Sequence, residues 1–416
     1  MALALAPKPV REPGYAARLA WAAVLSYASG FPFGVYLDVW PVYFRTHGIS
    51  LTAIGALTLL SLPWTWKPLW APLVDRFGLR RSWAAACTVA MALVLFAQPL
   101  FDPSHLSPSL WALLFIFIFA SATLDIAVDG QTIVFLRRGE EGAANGLRAA
   151  GYRIAVITSG AGMVAAADFF GWSRVFVAAG MLQIVIGLVL LRSPEARSPA
   201  SERRFFFAAL VDWVRRPGAA VLLAFILLYR LGDLAIGPMV KPYWVDRGMS
   251  LTQIATVSTT FGMVAGVVGA LTGGFFTTRF GLLPALWILG ATQGLSNAGY
   301  LSVAAFNASD PWLYAASLFE SFTLGLAGTA FLSLLMRLCD KDQASTEYAL
   351  LASIYALPRF IVGPFSGAAV ERLGYAAYFA FTVALSVPAF FFLPAVARNL
   401  KRRTESPAQG GTGERS

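Results

Sequence analysis

Long apolar runs recur along the whole chain, separated by short polar or Pro/Gly-rich breaks. They lie at about 18–44, 51–73, 82–101, 108–136, 142–168, 172–191, 218–243, 251–276, 282–306, 311–338, 344–369 and 373–396. A helix needs about 20 apolar residues to cross about 30 Å of hydrocarbon, so the pattern predicts twelve transmembrane helices. The short alternating segments of a membrane β-barrel do not occur. The longest polar interruption, 192–217, splits the spans six and six. The expected organisation is therefore a tail at 1–17, a six-helix bundle at 18–191, a linker at 192–217, a second bundle at 218–396 and a disordered tail at 397–416. Met1 to Gly14 carries Pro7, Pro9 and Pro13 without an apolar core, so a cleaved signal peptide is not expected.

Twelve is even, so both termini fall on one side. Counting Lys and Arg by loop puts 23 on the side of the termini and 5 on the other, namely Arg45, Arg174, Lys241, Arg247 and Arg372. By the positive-inside bias the termini are cytoplasmic. The net charge of +10 then reads as topology and contact with anionic lipid. The bases are scattered over several loops, so nucleic acid is not an expected partner.

Composition narrows the classes further. With 57% hydrophobic and 13% charged residues, the chain holds half the charge of a soluble protein. Two cysteines, Cys87 and Cys339, and two histidines cannot build a disulfide framework or a structural zinc site. No phosphate-binding G-x-x-x-x-G-K-[ST] loop is present, which excludes a built-in ATP motor. No nucleophile elbow or metal triad supports an enzyme, and no cofactor is expected.

The two halves echo each other. Gly48-Ile-Ser-Leu-Thr-Ala-Ile54 reads like Gly248-Met-Ser-Leu-Thr-Gln-Ile254, Arg76-Phe-Gly78 like Arg279-Phe-Gly281, and Arg153 falls near the place of Arg359. The offsets drift only from 200 to 206. Paired six-span repeats are the architecture of alternating-access transporters, with substrate held between the halves. Asp75-Arg76-Phe77-Gly78-Leu79-Arg80-Arg81 resembles the loop motif of the major facilitator superfamily, with Ala71 where that motif usually has Gly. Its acid and bases suit a breakable latch between helices. Glu371-Arg372-Leu373-Gly374 repeats the pattern on the opposite face. These residues, with Asp129, are the expected gates.

Charges within membrane spans are costly and therefore functional candidates. The chain carries Lys67, Arg153, Arg230 and Arg359 against Asp38, Asp125, Asp129, Asp233 and Glu320. At about 1.5 Å per residue, Arg153, Arg230 and Glu320 come out near mid-membrane. Asp125 and Asp129 are four apart and share a helix face. Asp125 reads equally as a proton site or a latch, and Asp129 as a latch to Arg76 or Arg148. Arg230 and Asp233, three apart, read either as a neutralising pair or as ligand and coupling groups. Arg153 and Arg359 suit bidentate capture of an anion or pairing across helices with Glu320 or Asp125. Trp64 and Trp66 beside Lys67 suit a sugar face or lipid, and Asn297 is a candidate polar contact. Breaks at Gly30-Phe-Pro32 and Pro63…Pro68 are expected to line a cavity.

A narrower resemblance runs through nearly the whole twelve-span body. Tyr27-Ala-Ser-Gly30-Phe-Pro32, Trp66-Lys67-Pro-Leu-Trp70-Ala-Pro72-Leu-Val-Asp75-Arg76 and Ser121-Ala-Thr-Leu-Asp125-Ile-Ala-Val-Asp129 resemble the AmpG muropeptide permeases. So do Gly151-Tyr152-Arg153, Leu228-Tyr229-Arg230-Leu-Gly232-Asp233, Gln293-Gly294-Leu-Ser296-Asn297-Ala-Gly299-Tyr300 and Phe319-Glu320. The resemblance implies proton-driven import of N-acetylglucosaminyl-1,6-anhydro-N-acetylmuramyl peptides across the bacterial inner membrane; separately, a monomer is expected. Arg153, Arg230, Arg359 and Lys67 are then the anion contacts, with Asp125, Asp233 and Glu320 the proton-coupling candidates. The Trp66 to Asp75 motif is also similar to that of acetyl-CoA transporters, whose ligand is anionic too. An organic-anion porter or a non-transporting sensor on the same fold stays open.

Overall fold

The computed structural model describes residues 14–77, 79–135, 141–194, 213–216, 218–338 and 344–405. They form the helical rods α1 (15–46), α2 (51–76), α3 (80–100), α4 (Pro108–Phe135), α5 (141–170) and α6 (Trp172–Leu190) of the N-terminal half. The C-terminal half holds α7 (219–246), α8 (251–280), α9 (Leu282–Phe306), α10 (Asp310–Leu338), α11 (344–373) and α12 (375–405). Among the described residues, eight helices are by length and composition apolar and long enough to cross a membrane. The Ala344–Leu385 helix divides at Gly374, whose φ of 79° ends one rod and starts the next. The fold is the twelve-helix, two-bundle arrangement the hydropathy predicts. The final helix runs to Glu405, nine residues past the expected end of its span at 396.

The repeated Gly-x-Ser-Leu-Thr string has a physical meaning. Gly48 (φ 82°) and Gly248 (φ 74°) turn the chain out of α1 and α7 in the left-handed region that glycine alone enters freely. Ser50 and Ser250 then cap the next helices by accepting from Ala53 N–H and Gln253 N–H, and Gln253 completes a capping box. Gly171, Gly281 and Gly374 make one-residue turns between α5 and α6, α8 and α9, and α11 and α12.

Several rods are not regular. α2 tightens to 3₁₀ turns at Leu57–Ser61 and Lys67–Leu69, the second beside Pro68, as the Pro63…Pro68 break predicts. The break expected at Gly30-Phe-Pro32 falls later: the helix continues through Pro32 and widens to a π turn at Val35–Val39. Pro41 accounts for that position, since it has no N–H for the Leu37 carbonyl and its ring pushes that carbonyl aside. Further π turns occupy Ile157–Gly162 in α5 and Ile254–Phe261 in α8.

Candidate functional site

The halves meet at one end of the bundle, here the closed end, which carries the 47–50 and 247–250 turns. Arg45 of α1 holds Asp246 of α7 with Nε and Nη2 at 2.5 and 2.7 Å, and Tyr375 O–H donates to the same carboxylate at 2.7 Å. Two mirrored caps flank that pair. Glu371 at the end of α11 accepts from Thr52 N–H (3.1 Å) and Oγ1 (2.5 Å) at the start of α2. Asp168 at the end of α5 accepts from Thr252 N–H (3.2 Å) and Oγ1 (2.8 Å) at the start of α8. Each carboxylate therefore sits on the N-terminus of a helix from the opposite half, where exposed N–H groups favour negative charge. Burial raises the Glu371 carboxyl, but the hydrogen bonds from Thr52 and Leu51 outweigh it and leave the group below its ordinary value.

Backbone contact completes the closed end. A Cβ on Gly367 of α11 would lie 1.8 Å from the Leu51 carbonyl oxygen, and one on Gly55 would lie 2.7 Å from that of Gly363. This is the small-residue packing that lets membrane helices touch.

Beyond these contacts lies a cavity of about 390 Å³ between the halves. Its N-terminal wall carries Phe33, Trp64, Lys67, Asp125 and Tyr152, and α11 contributes Arg359 and Phe360. Trp64 is fixed by edge-on contacts to Phe33 and Tyr36, with centroids 5.5 and 5.2 Å away, and by donation to Ser121 Oγ at 3.3 Å. The 3₁₀ turn presents Lys67, whose Nζ lies 3.6 Å from Asp125 and 3.9 Å from Asp129. The two acids share a face as their spacing requires. Asp129 also binds Arg148 Nη2 at 2.5 Å, and Arg148 Nε donates to Ser26 at 3.3 Å. A charge chain thus leads from the cavity wall to α5. Arg359 forms no ion pair among the described residues.

Other expected site residues stand elsewhere. Arg153 is exposed and absent from the cavity lining, because Tyr152, one residue earlier, takes the cavity-facing angle. Trp66 points away from Trp64 and is 55% exposed. Arg230 donates to Asp233 at 3.1 Å and lies over the Tyr355 ring at 5.7 Å, while Gln293 Nε2 holds the other Asp233 oxygen at 2.9 Å. Arg230 and Asp233 thus form the neutralising pair that their spacing allows. Asn297 is fully buried and has no polar partner among the described residues. Glu320, half-buried on α10, forms no ion pair among the described residues and lies within electrostatic range of Asp233, Arg230 and Lys241.

Among the gate candidates, the side chains of Asp75 and Arg76 lie outside the described ones. Arg80 donates to the Gly130 carbonyl at 3.3 Å. Glu371 is at the closed end, with Arg372 exposed beside it. Sequence reasoning missed Asp168, although it stands three residues before Gly171 as Glu371 stands before Gly374. It also missed Lys241, counted above as a loop residue, whose Nζ lies 3.0 Å from Asp38 inside the seam.

Two helical bundles joined at one end over a charged, aromatic cavity define a polytopic membrane transporter. The model of the Major Facilitator Superfamily matches residues 19–231 and 222–415. The chain is 32% identical over 385 residues to the anhydromuropeptide permease of Escherichia coli K12, covering 89% of this chain and 78% of that one. It is 28% identical over 391 residues to the putative transporter AmpG 4 of Rickettsia conorii, covering 89% and 94%. In fold it matches an inward-facing, unoccupied bacterial homologue of the lysosomal transporter Spinster, with a TM-score of 0.72, 15% identity and coverage of 94% and 99%. It also matches the nucleoside transporter NupG, with a TM-score of 0.71, 17% identity and coverage of 91% and 98%. The chain belongs to the Major Facilitator Superfamily and, within it, to the AmpG-type permeases.

Proposed function

We propose that this protein imports anhydromuropeptides, the N-acetylglucosaminyl-1,6-anhydro-N-acetylmuramyl unit and its peptides, across the bacterial inner membrane by proton-coupled alternating access. The observation that carries the reading is one cavity in which Arg359 of the C-terminal half faces the Trp64, Phe33 and Tyr152 wall and the Lys67–Asp125 pair of the N-terminal half. Sugar faces suit the aromatic wall, and peptide carboxylates suit Arg359, whose planar fork binds them bidentately. The family membership and the anhydromuropeptide cargo named for the Escherichia coli relative support the substrate class.

The Lys67–Asp125 pair suggests how ligand and proton are linked. A ligand carboxylate that takes Lys67 leaves Asp125 without its counter-ion, and a proton replaces the lost cation. Glu320 is the second candidate carrier. The Lys/Arg bias of 23 to 5 supports cytoplasmic termini, with the closed end facing outward. In that orientation Glu371 and Arg372 belong to the outer gate, and Asp75, Arg76, Arg80 and Asp129 to the inner one.

The test is uptake of radiolabelled anhydrodisaccharide-tripeptide into proteoliposomes, with and without an acidic outer bath, acetyl-CoA run in parallel. Gradient-dependent muropeptide accumulation is expected. Accumulation of acetyl-CoA alone, or of neither by folded protein, overturns the reading.

A further inference from the structure

Asp38 lies on the Val35–Val39 π turn of α1, which re-aims it toward the seam between the halves. Lys241 lies on α7, five residues before the Asp246 rim, or about 7–8 Å deeper at 1.5 Å per residue. Its Nζ reaches Asp38 Oδ1 at 3.0 Å, Ser258 Oγ at 3.0 Å and Thr259 Oγ1 at 2.6 Å, which uses all three ammonium donors. Thr259 O–H donates to Asp38 Oδ1 at 3.3 Å. From the other side, Gly160 of α5 comes so close that a Cβ there would lie 2.4 Å from Asp38 Oδ2. The side chains of Lys241 and Asp38 are only 12% and 10% exposed. Two helices of each half thus close around one ion pair. Three of the four, α1, α5 and α8, widen to π turns there, an irregularity found mostly at functional positions.

We propose that Asp38 and Lys241 are gate-determining residues of the transport cycle: a buried charge pair, assembled across the halves only when the closed end is shut, that sets how readily this end opens. A purely apolar seam would simply adhere. A buried pair behaves differently, because its desolvation cost offsets most of its attraction, while removal of one partner strands the other charge at a large penalty. The closed state therefore tolerates both charges or neither, and opening returns both to water. The pair keeps two states close in free energy while making the shut one specific. The rim pair Arg45–Asp246, at 22% and 24% exposure, cannot act in this way, since exposed pairs contribute little.

The proposal rests on the transport reading only for what the gate serves, and its test needs no cargo. Spin labels at Phe170 and Leu373 report the closed end, and labels at Leu147 and Phe280 report the other, all four being exposed positions. In lipid nanodiscs, Asp38→Asn and Lys241→Met should each lower the ratio of closed to open populations at the first pair by about tenfold or more, with the second pair moving oppositely. The double variant Asp38→Asn/Lys241→Met should return to within about threefold of the parent, since no charge is left stranded. Arg45→Gln should shift the ratio less than about twofold. If a single variant does not fold, Thr259→Val, which keeps both charges and removes the bridging hydroxyl, should still favour opening. Unchanged distances in the folded single variants overturn the proposal, as does a double variant perturbed as far as the singles. Shifted distances in a protein that does not take up muropeptide would leave the gate standing and remove only the cargo.

Discussion

The strongest constraint on the closed end is steric, and it can be tested at a single atom. In Gly367→Ala the new methyl would lie 1.8 Å from the Leu51 oxygen, 2.1 Å from the Leu51 carbonyl carbon and 2.4 Å from Thr52 N. Ordinary contact begins near 3.4 Å, so α11 and α2 must part by about 1.6 Å, and backbone atoms cannot swing away as a side chain does. A gap of 0.5–1 Å already forfeits about a quarter to a half of each local dispersion contact, and overpacking costs about 1–3 kcal/mol. The same displacement loosens the Thr52 cap on Glu371. Because the strain exists only while this end is shut, it should lower the closed-to-open ratio by about 5- to 150-fold, with little loss of overall stability. Label distances across the closed end measure the ratio directly. Gly237→Ala is the matched control, since a Cβ there meets nothing within 4 Å, and it should leave the ratio unchanged. A Gly367→Ala protein with the parent's closed-end distances, or a Gly237→Ala protein shifted equally, would show that close backbone approach does not govern this interface.

Three further outcomes follow from the same geometry. The Glu371 carboxyl is held below its ordinary value in the shut state. Its contribution to closure is therefore complete above the ordinary glutamate range and is lost as pH falls through the lowered value. Closed-end distances recorded from neutral pH into the acid range should show that loss, and Glu371→Gln should remove this part of the pH dependence. Trp64→Ala should weaken muropeptide binding about tenfold through lost stacking, whereas Trp66→Ala should change it less than twofold, as read by calorimetry. Arg359→Lys should cost more affinity for the tripeptide form than for the free disaccharide, because a point charge replaces a bidentate fork. Equal losses on both ligands would remove Arg359 from the carboxylate site.

What the sequence made legible was whatever rides on periodicity. Hydropathy located the rods, and the Gly-x-Ser-Leu-Thr repeat tied the two halves to one pattern. The four-residue spacing of Asp125 and Asp129 put both on the face that Lys67 reaches. Azimuth was harder. Rise per residue gives the depth of Arg153 but not its direction, and a 100° step sends Tyr152 into the cavity and leaves Arg153 outside its lining. Trp64 and Trp66 differ for the same reason. Lys241 was missed because a cation near the end of a span reads as an interfacial anchor, and only the partner half shows that Asp38 waits beside it. Asp168 was in the repeat all along, at the same distance before its glycine as Glu371.

The turns at Gly171, Gly281 and Gly374 have φ of 79–90° and ψ of 154–163°, backbone angles that a residue bearing a Cβ scarcely enters. Each joins two long rods through a single residue, which leaves no slack for a hinge. Any bending inside a half has to be taken up within the rods, at the π and 3₁₀ turns of α1, α2, α5 and α8. For anyone editing this chain the consequence is a map of tolerance. A reporter or tag inserted at 171, 281 or 374 would wedge apart a rigid helix pair and should abolish expression of folded protein.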